Sequence, residues 1–383
     1  MEFKHLPFDA PLSDYARQAG ELYEGWQKED QEAVRIFRNS HPKFLDTKIK
    51  WLARDMTDEE VRAVRISEAD AQLALARFYD FADWNRLTDY VEAVRQPGSL
   101  RYRFERAVEA VIDGDIATLK QLLKEDPDLV RARSTRVTHF DPPVHRAQLL
   151  HYIASNGVEG YRQRSPKNAA DVAKTLLEAG ADPNAKCSLY GGECTTMALL
   201  VSSTPPDRAG VQVPVLDVLI DHGASMEPEG EGNWTSPIET ALVFNKTAAA
   251  RRLVERGAPI VSLAAAAGLG RVDEVKKRLP SSTPLDRQRA LAFASQHGKT
   301  DVLKMLLDAG EDPNRYNPPG THSHTPPIHQ AIAAGHLDAV KMLIDRGARL
   351  DIRDTIYHGT PLGWAKYCDQ PKIAEYLITR GAA

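Results

Sequence analysis

The stretch PPIHQAIAAGHLDAVKMLIDRGARLDI, residues 326–352, decides the fold. Its first half opens on prolines, which suit the first turn of a helix, and continues in small residues. Its second half, HLDAVKMLIDRG (336–347), sets Leu337, Val340, Leu343 and Ile344 on one helical face. Gly347 then stands where a helix ends in the left-handed conformation that glycine adopts most cheaply. The stretch reads as two antiparallel helices followed by an outward loop.

The same two phrases recur along the chain. The helix end with its glycine appears as LLEAGADPNA (176–185), LIDHGASMEP (219–228), LVERGAPIV (253–261), LLDAGEDPNR (306–315), LIDRGARLDI (343–352) and LITRGAA (377–383). Ahead of these phrases stand QLLHYIA (148–154), TTMALLV (195–201), SPIETAL (236–242) and TPLGWAK (360–366). Gly347 and Gly381 are 34 residues apart, as are Gly223 and Gly257. A fixed period near this length is the mark of a stacked repeat array, in which each unit buries its apolar face against the next.

Residues 326–352 resemble the ankyrin consensus, in which TPLH, AAxxGH and LLxxGAxxN follow in order. The resemblance covers roughly residues 103–383 and implies an all-α ankyrin-repeat solenoid. Eight units are expected, at about 103–133, 148–186, 195–228, 236–261, 262–280, 286–316, 325–354 and 360–383. The TPLH positions carry over as Leu149–His151 and Pro327–His329. Ala198, Glu239 and Gly363 stand where other units would have the histidine, which predicts weaker bonds between neighbours there. Insertions fall before and within unit 2 (VTHFDPPVHRA and GVEGYRQRSPKN) and in unit 3 (TPPDRAGVQVP, 204–214). Units 5 and 6 are degenerate and nearly loopless, which predicts a weak point. The wording of LLHYIASNGVEGYRQRSPKNA, RYNPPGTHSHTPPIHQA and RDTIYHGTPLGWA is similar to that of bacterial ankyrin-repeat proteins.

Residues 1–100 do not follow this pattern. Residues 13–40 are helical in pattern, Ser67 is placed to cap a helix through ADAQLALARFYDF, and ADWNRLTDYVEAV forms another. PGS (97–99) marks a boundary. The expected organisation is an N-terminal helical cap domain, 1–100, on an array, 101–383, because the end of a stack needs its apolar face covered.

Composition narrows the function. Residues 1–100 carry a net charge of −5 and the remainder +1, so neither part has the basic excess of a phosphate-backbone binder. No apolar run reaches the roughly 18 residues of a membrane span, and the start lacks a secretory signal. Three cysteines, an odd and sparse count, suit a reducing cytoplasm. No nucleic acid, no membrane and a monomeric state are expected.

Candidate chemistry is sparse. His322 and His324 have the H-x-H spacing of a chelate, but no Asp, Glu or Cys stands close by, and His329 occupies a structural position; no metal is expected. Cys187 and Cys194, with six residues between them in CSLYGGEC, fit neither a metal knuckle nor a C-x-x-C redox motif, and read as small buried or half-buried thiols around a tight turn. Gly268–Gly270 follows no strand, so no nucleotide fingerprint results. No cofactor is implied. Two sites remain. One is a row of aromatic residues at the loop tips, Phe140, Tyr190, Trp234, Tyr316 and Tyr357, of the kind that anchors a protein partner. The other is a polar cluster in the inserted loops around 133–163 and 188–195, with His139, His145, Tyr152, Arg162 and Glu193 as a possible ligand or catalytic pocket. The expected function is a non-catalytic scaffold that binds a protein partner on the concave face of the stack; the alternative is an enzyme or small-ligand site in those loops.

Overall fold

Gly180, Gly223, Gly257, Gly310, Gly347 and Gly381 all have φ between 89° and 95°, so each recurring phrase ends its helix in the left-handed conformation. The next amide then reaches back to a leucine carbonyl, as Ala348 N does to Leu343 O at 2.9 Å. These caps fix the hairpin between one unit and the next in a computed structural model that describes residues 3–157, 159–228 and 236–382. Contacts divide the chain into two units, residues 1–224 and 225–383.

The first unit begins with helices Leu12–Gln27, Gln31–Ser40, Asp58–Arg62, Glu68–Phe78 and Trp84–Val94. Tyr15, Leu22, Phe37, Phe44, Leu75, Tyr79 and Leu87 form their core. Ser67 caps its helix as expected, accepting from Asp70 N. The expected helical stretch 13–40 is two helices. Glu29 turns left-handed at φ 55°, and the Asp30 carboxylate accepts from Glu32 N and Ala33 N, which starts a new helix. Three helix pairs follow, Leu100–Asp113 with Ile116–Glu125, Leu149–Tyr152 with Ala169–Glu178, and Thr196–Ser202 with Gln212–Asp221. Helix Trp84–Val94 packs directly on Leu100–Asp113. The second and third pairs are separated by an antiparallel hairpin, Lys186–Leu189 with Gly192–Thr195.

The second unit holds five pairs: Pro237–Val243 with Thr247–Glu255, Leu263–Leu269 with Val272–Arg278, Pro284–Gln296 with Thr300–Asp308, Pro327–Ala333 with Leu337–Asp345, and Pro361–Tyr367 with Pro371–Thr379. Among the described residues, these eight pairs correspond to the eight units read from the sequence. One apolar core runs through the second unit from Leu263 to Leu377.

The TPLH histidines bond to the loop leading to the next unit at two places. His151 Nε2 donates to Ala185 O and His329 Nε2 to Gly359 O, each at 3.1 Å. Burial pushes His151 down to about 4, so the ring is neutral. Glu239 departs from the consensus without losing the link, because its carboxylate accepts from the hydroxyl of Ser262 at the start of the next unit. The degenerate units are also tied. Gln296 Nε2 donates to Leu242 O at 3.1 Å and Val243 O at 2.9 Å, and His297 Nε2 to Leu242 O at 3.0 Å. Gly268 lets helix Leu263–Leu269 close on the preceding unit, since a Cβ there would lie 2.9 Å from Leu242 Cδ1.

Candidate functional site

Four of the five expected loop-tip aromatics lie among the described residues, and all four are exposed: Phe140 by 38%, Tyr190 by 53%, Tyr316 by 36% and Tyr357 by 58%. Trp234 lies outside the described residues. The exposed rings are held from below. Tyr190 sits at the tip of the 186–195 hairpin and donates its hydroxyl to Asn156 Oδ1 at 2.8 Å. Tyr316 donates to Arg353 O in the next loop at 2.5 Å. Phe140 lies against His139, the rings tilted by 33° with centroids 4.1 Å apart. The Tyr357 loop is wound around Asp354, whose carboxylate accepts from the amides of Ile356, Tyr357 and Gly359 and from Trp364 Nε1. Each ring therefore offers apolar area while its backbone or polar end is fixed.

The residues expected to form a pocket separate into two sets. His145, Tyr152 and Arg162 converge on one carboxylate, Glu159. Oε1 accepts from His145 Nε2 at 3.1 Å and from the Tyr152 hydroxyl at 2.9 Å. Oε2 accepts from Arg136 Nη1 at 3.2 Å and Arg162 Nη1 at 2.7 Å. His139 and Glu193 are elsewhere: His139 lies beneath Phe140, and Glu193, exposed on the hairpin, accepts from Ser188 Oγ at 2.7 Å.

The cluster extends beyond what the loop sequence suggested. Arg162 Nη2 lies 2.7 Å from Glu105 Oε2 and 2.9 Å from Glu109 Oε1, while Tyr90 donates to Glu105 Oε2 at 3.0 Å. Arg136 donates to Tyr79 O at 3.1 Å and to the Tyr161 hydroxyl, and its guanidinium lies 4.2 Å from the Phe81 ring centre and 4.7 Å from that of Tyr90. The side chains of Arg136, Glu159, Arg162 and Glu105 are at most 4% exposed, and the two buried guanidiniums face two buried carboxylates. Burial opposes charge on Glu159, but Arg136, Arg162 and His145 outweigh it and hold its carboxyl well below the usual range. Arg136, Glu105, Tyr79 and Tyr90 were missed: Tyr79 and Tyr90 read as apolar core of the N-terminal helices, and Glu105 and Arg136 as ordinary charged positions. Only the folded chain brings them together.

A cavity of about 30 Å³ lies beside this cluster, lined by His145, Tyr152, Glu159, Arg162, Asn156 and Leu189. That is room for about one or two waters, far short of the roughly 300 Å³ at which small-molecule sites begin. Each oxygen of Glu159 already has two donors. What the arrangement does is join inserted loops to helices. Asp80 Oδ2 nearby is buried and unpartnered, as is His145 Nδ1, and burial raises the Asp80 carboxyl to about 7. Asp80 does not line the cavity.

His322 and His324 do not present a chelate. His322 Nε2 donates to Val243 O at 3.0 Å, and the two rings stand nearly perpendicular, 6.1 Å apart. Among the described residues no three His, Cys, Asp or Glu are grouped to hold a metal, and no helix is long and apolar enough to cross a membrane.

A family model of ankyrin repeats, three copies, matches residues 291–383. Human cyclin-dependent kinase inhibitor 2A is 34% identical over 119 residues, covering 30% of this chain and 74% of that protein. Bovine cyclin-dependent kinase 4 inhibitor B is 30% identical over 131 residues, covering 33% of this chain and 95% of that protein. An ankyrin repeat-containing protein of Schizosaccharomyces pombe is 40% identical over 88 residues, 23% of this chain and 39% of its own length; a mouse ankyrin repeat and SAM domain-containing protein is matched over 11% of its length. The human ASB11 ankyrin repeat domain aligns with 72% of this chain and 98% of its own, at 19% identity and a TM-score of 0.36.

Proposed function

Because the chain belongs to the ankyrin-repeat family, we propose that it is a non-catalytic scaffold that recognises a protein partner through its loop tips and the concave face such stacks offer. The observation that carries this reading is the state of the tip aromatics. Tyr190 and Tyr316 expose much of their rings while their hydroxyls are bonded to neighbouring loops. A ring held in place before binding loses little freedom on contact, and aromatic anchors of this kind dominate interface energies. Solenoids of stacked repeats use such extended surfaces for binding. The relatives named as kinase inhibitors bear on the class of role and not on the identity of the partner.

The reading as an enzyme or small-ligand protein, with its site in the inserted loops, is the weaker one. It needs an open pocket with unengaged polar groups; His145 Nδ1 is unpartnered, but the cavity beside Glu159 lacks the volume and both Glu159 oxygens are engaged. The same proposal assigns residues 1–100 the role of an end cap and places a monomeric chain in the cytoplasm. The test uses the full chain with Tyr316→Ala and Tyr357→Ala together, immobilised beside wild type in extract of its native cell. Quantitative mass spectrometry should show at least one protein retained by wild type and depleted about tenfold or more on the variant, at unchanged helicity. Identical retention profiles would sink the anchor reading.

A further inference from the structure

We propose that Cys187 and Cys194 form a reversible disulfide across the 186–195 hairpin, a modification site that locks the turn carrying Tyr190. The two residues are register partners in the antiparallel pair, so their side chains leave the same face. Residues directly opposite in such a pair have Cα atoms about 4.5–5.5 Å apart, inside the roughly 4.4–6.8 Å that a disulfide spans. To close the bond, both thiols leave the backbone carbonyls they now face and the strands draw slightly together. The turn fixes this register: Tyr190 and Gly191 both have positive φ, 55° and 76°, as a two-residue hairpin turn requires. Outside contacts hold it further, with Ser188 N donating to His145 O at 2.9 Å and Arg133 Nη1 to Lys186 O at 2.7 Å. The thiols are held against the hairpin itself, Cys187 Sγ 3.4 Å from Cys194 O and Cys194 Sγ 3.6 Å from Leu189 O. All three cysteines are unbridged, and the third, Cys368, belongs to the other unit.

Unequal exposure sets the order of events. Cys187 is fully buried and Cys194 partly open, so a low-molecular-weight disulfide such as oxidised glutathione meets Cys194 first. The Cys194 thiolate attacks one sulfur of the oxidant, forms a mixed disulfide and releases one glutathione thiolate. Cys187 then gives up its proton, and its thiolate attacks Cys194 Sγ. The protein S–S bond forms and the second glutathione leaves. The protein loses two electrons and two protons, and the oxidant becomes two thiols. Burial raises the Cys194 thiol to about 11 and Cys187 further, so thiolate is scarce at neutral pH and closure is slow. That suits a site recording sustained oxidation.

This inference does not depend on the proposed partner. The test takes the folded full chain carrying Cys368→Ser, incubated with oxidised glutathione from pH 7 to 9 and followed by intact mass and peptide mapping. Wild-type hairpins should lose two hydrogens and link residues 187 and 194, at a rate rising about tenfold per pH unit while both thiols stay largely protonated. Cys187→Ser should trap glutathione on Cys194, and a thiol reductant should reverse both products. A stable glutathione adduct on Cys194 with Cys187 still free, or two free thiols after days at pH 9, would overturn the proposal.

Discussion

Arg136 and Glu159, which precede and follow the short helix Leu149–Tyr152 in the chain, meet at 3.2 Å in the interior of the first unit. One precedes the first insertion and the other lies in the second, so this single contact closes both inserted loops onto one point. Removing one partner of a buried pair leaves an uncompensated charge and typically costs about 3–5 kcal/mol. Glu159→Gln should destabilise the first unit by about 3 kcal/mol, because two buried guanidiniums and His145 lose their anion. Denaturant titration followed by hydrogen exchange separates the units. A loss below about 1 kcal/mol across residues 100–165 would mean that the cluster is not what holds the loops.

Asp80 supplies a pH dependence of opposite sign to that of Glu159. Burial raises its carboxyl to about 7, so the fold favours the protonated form. The native state pays nothing for Asp80 well below its unfolded value of about 3.9. The penalty grows as pH rises from there towards 7 and levels off above it. Asp80→Asn removes the titration and keeps the left-handed backbone that Asp80 adopts at φ 63°, which Asn tolerates well. The variant should gain stability relative to wild type between pH 4 and pH 8, by about 2–4 kcal/mol. Paired urea melts across that range check it; a difference independent of pH would refute the assignment. Glu159, held low, stabilises above its unfolded value and loses that contribution as pH falls, so the two effects are separable by pH.

Much of the array was legible because its signals are local. The glycine at each helix end, the TPLH histidines and the apolar periodicity each act within one unit or between adjacent ones, and His151 and His329 make the carbonyl bonds their positions imply. Glu239 shows the limit of that reading: its bond to Ser262 can be seen only when the next unit is in place. The polar cluster shows it more strongly. Arg162 and Tyr152 stood out in the inserted loops, but Tyr90 and Glu105, which complete the network, are separated from them by more than forty residues. Sequence spacing carries no trace of that proximity. Glu193 and His139 were grouped with them by closeness in sequence alone, and the hairpin and the Phe140 loop carry them elsewhere.

The N-terminal helices offer a test of capping. Tyr90, Val91 and Val94 of helix Trp84–Val94 are buried, and that helix packs on Leu100–Asp113, where Phe104, Val108 and Val111 are buried in turn. A chain beginning at residue 99 would expose this face and strip Glu105 of its Tyr90 donor. It should associate at micromolar concentration or melt at least about 5 °C lower, since removing several buried apolar side chains costs a few kcal/mol. Light scattering and thermal melts decide. A monodisperse shortened chain as stable as the parent would refute the cap.

Residues 258–295 pose the last test, because their sparse loops suggest weak coupling and their packing suggests the reverse. In helix Leu263–Leu269 the run Leu263 to Gly268 is buried throughout, and the helix packs closely against Pro284–Gln296. Small side chains permit that approach, which compensates for the missing hairpin contacts. At the far end of the second helix, Gln296 and His297 donate three bonds to the carbonyls of Leu242 and Val243, and His322 adds a fourth. These carbonyls close helix Pro237–Val243, so the first three bonds join units 4 and 6 across unit 5, and the His322 bond ties the loop ahead of unit 7 to unit 4. Amide exchange in 263–269 and 288–296 should therefore be within about tenfold of that in 327–333, because segments that open together exchange with similar free energies. Gln296→Ala should speed exchange at 237–245 and 263–269 together, by about fivefold to tenfold, as expected for losing about one net hydrogen bond. If wild-type exchange at 263–296 is a hundredfold faster than at 327–333, the loops govern this region and the helix contacts do not offset their loss.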